Sequence, residues 1–138
     1  MVYLLYTKRQ MVNYQSLVGR EWEYGKHDCF SLIRDYYKLL GVFLPDYERP
    51  NDLTSCNSIF LDQAIFYGFQ EIEFKKRRLH DVLIMRIGTQ TPMHAAIYLE
   101  NERILHQKQD SLSCTESLGS YYVKQTKGVF RYAAGHFT

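Results

Sequence analysis

The 138 residues include 46% hydrophobic and 23% charged side chains and carry a formal net charge of +2. That length and mix suit one folded domain over 1–138 with a core of its own, and exclude a disordered chain. The near-balanced charge gives no basis for a nucleic-acid partner. No apolar run approaches the ~20 residues that cross a bilayer, so no membrane span is expected.

The one dense basic run, Lys75-Lys76-Arg77-Arg78, lies between two expected strands and reads as a solvated turn. Three cysteines, Cys29, Cys56 and Cys114, make an odd count without a C-x-x-C, so neither a disulfide framework nor a metal site is expected. No cleavable signal is visible, which places synthesis and folding in a reducing cytoplasm. Twelve Tyr, eight Phe and one Trp supply an aromatic core or a surface that meets a partner.

In chain order, Thr7-Lys8-Arg9-Gln10 resembles a capping box, and Met11, Tyr14, Leu17 and Val18 follow a helical stripe that Gly19 ends. Arg20 to His27 reads as loop. A second helix starts at Asp28 or Cys29, with Cys29, Ile33, Tyr36, Tyr37 and Leu40 on one face and Gly41 as its stop. Leu44 to Pro50 is extended, because its two prolines disfavour helix. A third helix fits Ser55 to Tyr67. Short β-rich runs follow at Phe69–Phe74, Val82–Ile87, Ala95–Leu99, Arg103–His106 and Val129–Tyr132, with Glu100-Asn101-Glu102 as a tight hairpin connection. Helices first and antiparallel strands after give an α+β domain, N-terminal helices packed on an antiparallel β-sheet.

The chemistry concentrates in three residues. Cys29 sits where a polar loop becomes a helix, and unpaired backbone N–H groups there favour a thiolate. His94 opens one strand and His106 ends the next. An imidazole beside a thiol takes its proton and returns it to a leaving amine, and a third polar group holds that imidazole in one orientation. Cys29, His94 and His106 fill these roles in order. If the hairpin pairs residues whose numbers sum to about 202, His106 lies diagonal to His94 and within reach.

A lone cysteine on an apolar helix face is ordinarily a small buried hydrophobe, and a lone histidine at a strand start is ordinarily structural. The joint arrangement is what points to catalysis. Cys56 and Cys114 read as core or surface thiols, and His27, His80 and His136 as surface residues. Asp28 opposes a thiolate unless its oxygens cap the helix, and capping is the favoured role. Tyr24 offers a hydroxyl to the developing oxyanion, beside the N–H of Cys29.

Tyr24-Gly25, Asp28-Cys29, the following helix, Gly41 and Leu44-Pro45 resemble the NlpC-type cell-wall cysteine peptidases, which have a papain-like fold. Leu79-His80-Asp81-Val82-Leu83-Ile84-Met85-Arg86 resembles the strand before the family's histidine strand. His94-Ala95-Ala96-Ile97-Tyr98-Leu99 and Ile104-Leu105-His106 match the base and the third polar residue. Cys29 to Tyr37 and Leu44 to Arg49 look like the signatures of the phage branch, the tail assembly peptidases called the protein K group.

There are departures. Phe30 stands between Cys29 and Ser31 where the family has Ser-Gly, and His80 replaces the usual Gly before Asp81. With 28 residues ahead of Cys29, the N-terminal metalloprotease-like domain of some phage relatives is not expected.

The resemblance implies a cofactor-free thiol endopeptidase acting on peptidoglycan stem peptides, with Tyr24, Asp28 and Ser31 as its substrate and oxyanion set. It places the protein at a virion tail tip, assembled in the host cytoplasm beside hub proteins and acting at the host cell wall. Alternatives are a structural tail-tip component, a peptidase that processes a tail protein, or a hydrolase or acyltransferase acting on lipids or small amides. The Cys-before-His order argues against the permuted acyltransferases, which run the other way.

Overall fold

The computed structural model describes residues 12–45, 68–88 and 94–132. The capping box at Thr7–Gln10 and the helix expected over Ser55–Tyr67 lie outside them, as do Cys56 and His136. In the described residues a long helix, α1 (Cys29–Leu39), packs on a six-stranded antiparallel sheet, which bears out the α+β class. The strands are β1 (Phe69–Ile72), β2 (Val82–Met85), β3 (His94–Leu99), β4 (Arg103–His106), β5 (Cys114–Ser117) and β6 (Thr126–Tyr132). A short helix, α2 (Ser120–Gln125), runs directly into β6. Across the sheet the order is β1-β6-β2-β3-β4-β5.

Helix α1 begins and ends on side-chain and backbone caps. Asp28 is its N-cap, and Gly41 follows it at φ +85°. There the Gly41 N–H reaches Lys38 O at 3.0 Å and the Val42 N–H reaches Tyr37 O at 2.9 Å, the paired bonds of a Schellman ending. Between the caps Leu32, Ile33, Tyr36 and Tyr37 are buried against the sheet, at the spacing of three and four that puts them on one face.

Strand alternation splits the sheet into two apolar faces. Val82, Ile84, Ala95, Ile97, Leu99, Leu105 and Phe130 pack under α1. Leu83, Met85, Ala96, Tyr98, Ile104 and Val129 face the other way, with Leu118 and Tyr122 over them. Both faces being covered, β2 and β3 are buried throughout rather than alternating.

The β3–β4 hairpin pairs Ala96 with His106, Ile97 with Leu105, Tyr98 with Ile104 and Leu99 with Arg103. Each pair sums to 202, the register expected. Asn101 and Glu102 turn at φ 63° and 54°. Glu102 is held there by Arg77 at 2.6 Å and by the Tyr98 hydroxyl. Arg77 also lies over the Phe74 ring, 4.2 Å from its centroid, so the basic run is a packed turn rather than only a solvated one.

Three expectations change. The helix expected to run to Val18 is, among the described residues, a 3₁₀ turn at Gln15–Leu17. Asn13 Oδ1 accepts from the Gln15 N–H at 3.1 Å, a local bond that competes with helix. Two elements, β5 and α2, were not expected at all. His80 is not a surface residue: its Nδ1 meets the Tyr36 hydroxyl at 2.7 Å, and the Tyr37 hydroxyl donates to its carbonyl at 2.6 Å. Burial raises both phenols above their ordinary range, so they remain protonated donors.

His80 holds φ +82°, which explains why glycine is usual at this position. A left-handed non-glycine residue costs about 1–2 kcal/mol, and here the two tyrosines offset it. His80→Gly should therefore change stability by less than about 1 kcal/mol, losing a bond and losing the strain together. His80→Ala loses the bond and keeps the strain, so it should be the less stable by about 1 kcal/mol in urea unfolding. Equal midpoints for the two variants would contradict this account.

Candidate active site

The loop ahead of α1 is built to aim its first residue. Glu23 and His27 pair across a tight turn, N–H to O at 2.9 and 2.8 Å, and Gly25 turns at φ +84° inside it. Asp28 Oδ2 accepts from the Gly25 N–H at 2.8 Å. Its Oδ1 accepts from the Ser31 N–H and the Ser31 hydroxyl, both at 3.0 Å. The capping role expected for Asp28 is its observed one. With its oxygens spent on three donors, Asp28 opposes the thiolate less than a bare carboxylate would.

Cys29 is the first residue of α1 and is partly exposed. It lines a cavity of about 370 Å³ together with Trp22, Tyr24, Asp28, His94, Gln107 and Lys108. Ile87 and Gly88 also line it, so its walls come from the end of β2, the start of β3, the end of β4 and the start of α1. The cavity thus opens at one end of the sheet. By alternation His94 and His106 belong to the face opposite α1, so Cys29 shares a cavity with His94 only where β3 begins.

His94 Nε2 lies 3.0 Å from His106 Nδ1, with the two rings at 70°. The diagonal contact expected from the register is present. His94 is 6% exposed and His106 fully buried. Trp22 and Tyr24 stack at 6.1 Å and 19° on the cavity wall. Tyr24 therefore lines the cavity that Cys29 lines. Ser31 does not: it is wholly buried and its hydroxyl is given to Asp28, so it supports the site from behind and cannot contact a substrate.

Sequence reasoning missed what stands behind the histidines. His106 Nε2 is 2.5 Å from Glu116 Oε2 on β5. The Tyr122 hydroxyl of α2 donates to the same oxygen at 3.0 Å, and Cys114 Sγ lies 3.8 Å from it. Cys114 therefore has the context it lacked in sequence, opposite His106 in the β4–β5 register. Gln107 was also missed; its amide N–H groups donate to Arg20 O at 2.7 Å and Ser111 O at 3.1 Å, tying the loop before the site to the one after β4.

Among the described residues, His106, Cys114 and Glu116 hold donor atoms within 4.8 Å of one another, a set of the type zinc takes. The spacing is that of hydrogen bonds: at 2.5 Å the His106–Glu116 pair is closer than the roughly 3.3 Å that separates two tetrahedral zinc ligands.

Burial, then the neighbouring His106 and Lys108, push His94 down to about 3. Burial also lowers His106, against the upward pull of Glu116. Burial alone would raise Glu116, but hydrogen bonds from His106 and Tyr122 carry it below the usual carboxylate range. A histidine lowered on folding binds fewer protons than it does unfolded, so stability is complete above the unfolded value near 6.5 and declines as pH falls from there toward 3. Each unit of pH in that window costs up to about 1.4 kcal/mol for His94 alone. Melting curves should show the midpoint falling between pH 6.5 and 4, and His94→Gln should flatten the fall. A variant with the wild-type slope would rule His94 out as its source.

Four similarities bear on this site. Residues 19–131 match the model of the NlpC/P60 family. Tail tip assembly protein K of Escherichia phage lambda is 32% identical over 119 residues, covering 86% of this chain and 60% of that protein. Its namesake from Escherichia phage N15 is 27% identical over 120 residues, covering 84% and 49%. The chain thus spans half to three-fifths of the length of these relatives. In structure it is similar to an NLP/P60-family protein of Staphylococcus aureus described as similar to a lipoprotein, with a TM-score of 0.63 at 23% identity over 87% of this chain and 39% of that one. The fold is therefore shared with that protein, and the chain belongs to the NlpC/P60 family.

Proposed function

We propose that the chain is a cysteine endopeptidase of a phage tail tip, hydrolysing amide bonds in the stem peptides of peptidoglycan through Cys29, His94 and His106. The observation that carries this reading is the shared cavity: a thiol at a helix N-terminus lines it with a buried imidazole whose far nitrogen is bonded to a second imidazole. Family membership adds the reaction class, and the names of the two relatives add the setting.

The chemistry follows from the groups in place. Cys29 Sγ attacks the amide carbon while His94 takes its proton. The oxyanion is met by the Cys29 N–H at the start of α1 and by the Tyr24 hydroxyl. The C–N bond breaks as His94 gives the proton to the departing amine, leaving a thioester. Water then attacks with His94 as base, and the proton returns to the sulfur. His106 bonds His94 Nε2 and so reserves the other ring nitrogen for these transfers. No cofactor enters the scheme. Trp22 and Tyr24 give the cavity a flat apolar wall suited to a peptide backbone.

Both relatives are named for tail assembly, which favours one second reading: a tail component that keeps the fold for docking, or that processes a tail protein.

Wild type and Cys29→Ala, incubated with defined muropeptides and read by mass spectrometry, separate these readings. Loss of a stem-peptide bond in the wild type, reduced about 1,000-fold or more in the folded variant, is the expected result. Undiminished cleavage by Cys29→Ala would sink the thiol mechanism. Full infectivity of phage carrying Cys29→Ala, with particles lost when the protein is absent, would favour the structural role.

A further inference from the structure

We propose that Glu116 is a positioning residue for this site: its carboxylate sets the proton arrangement of both histidines and supports the charge that His94 gains. The inference rests on the peptidase reading above and extends it to a residue outside the Cys-His-His set.

An ionised carboxylate only accepts hydrogen bonds. Glu116 Oε2 is 2.5 Å from His106 Nε2, so that nitrogen carries the hydrogen. A neutral imidazole has one N–H, which leaves His106 Nδ1 as an acceptor. His94 Nε2, 3.0 Å away, must then be the donor. His94 in turn keeps an unprotonated Nδ1, the form a general base requires. One carboxylate thus determines two tautomers in series.

The surroundings of Glu116 hold it to that task. His106 faces it from β4, Cys114 from its own strand, Tyr122 from α2 and Lys108 from the loop after β4. The Tyr122 hydroxyl gives its proton to Glu116, and the Lys108 ammonium adds a positive charge near that carboxylate. Cys114 and Tyr122 therefore present donors to the same oxygen as His106 does. Tyr122 also meets the His106 ring edge-on at 90°, with centroids 5.2 Å apart, so the ring is fenced as well as bonded. Two elements that carry no part of the Cys-His-His set, β5 and α2, converge on this carboxylate.

The charge matters because burial makes a proton on His94 costly. A carboxylate two bonds away lowers the cost of the imidazolium formed when Cys29 ionises. A merely structural ion pair would move stability and leave the thiol's ionisation alone.

The test uses wild type, Glu116→Gln and Glu116→Leu, each checked for fold by its amide spectrum. Histidine side-chain ¹⁵N spectra should show the Nε2–H form at both His94 and His106 in the wild type. Glu116→Gln should keep it, because an amide oxygen can take the same three donors. Glu116→Leu should lose it. Alkylation of Cys29 by iodoacetamide, located by mass spectrometry across pH, should show thiolate formation moved up by about one unit in Glu116→Leu, about 10-fold slower at neutral pH, with Glu116→Gln between. An Nδ1–H form of His106 in the wild type, or superimposable alkylation profiles, would overturn the proposal. Wild type with these tautomers and this profile but no muropeptide cleavage would count against the peptidoglycan substrate and for the role of Glu116.

Discussion

The carboxylate of Asp28 is the constraint on which the site depends. It is 3% exposed and accepts from Gly25, from the Ser31 amide and from the Ser31 hydroxyl. These bonds close the turn before α1 and start the helix in one stroke, which makes Cys29 the first helical residue and no other. A cap of this kind contributes about 1 kcal/mol to a helix, but its larger effect here is directional. It fixes where the dipole begins, and an anion gains from that dipole only within the first turn. The same bonds quench the charge that would otherwise stand beside the sulfur. Gly25 at φ +84° and Ser31 buried at the helix's first turn are parts of this one device, which is why neither can be assessed apart from Asp28.

The sheet supplies the histidines by a different rule. Alternation puts His94 and His106 on the face away from α1, together with Ala96 and Ile104. A cysteine on α1 has no route to them through the middle of the sheet, where Ala95, Ile97 and Leu105 fill the space beneath the helix. The shared cavity therefore forms at the strand ends, where β3 begins, β2 and β4 stop and α1 starts. The antiparallel register then leaves His106 two residues from the partner position of His94, and the two rings meet. Geometry of the backbone, more than affinity between the imidazoles, brings them together.

What could be read in the sequence follows from this division of labour. Local signals were legible: the Asp28 cap, the apolar face of α1, Gly41 as its stop, the tight turn at Glu100-Asn101-Glu102 and hence the register. Each depends on residues within a few positions of one another. What stayed hidden depended on the third dimension. Cys114-Thr115-Glu116-Ser117 has no apolar alternation because it is an edge strand with half-exposed side chains, and its partner β4 is what makes it a strand. The six residues of α2 are too few for a helical stripe, and they take their place by covering the second face of the sheet. Glu116 and Tyr122 were missed with these elements. Ser31 was misplaced for the opposite reason: it stands only two residues after Cys29 in sequence, while the turn of the helix points it inward onto Asp28.

The hidden part is also where the site's physical tension lies. On the proposed mechanism a buried base resists taking a proton, and His94 is only 6% exposed. The histidine behind it is equally buried and lowered in the same direction, so a second imidazole orients the first without supplying charge. The nearest negative group along the chain of bonds is Glu116, which is partly exposed and kept ionised by the donors around it. On the role proposed for Glu116, charge enters at the solvent edge of the sheet and its influence passes inward through two hydrogen-bonded rings. On that reading burial is reconciled with basicity, and β5 and α2 have a reason to be folded beside His94 and His106.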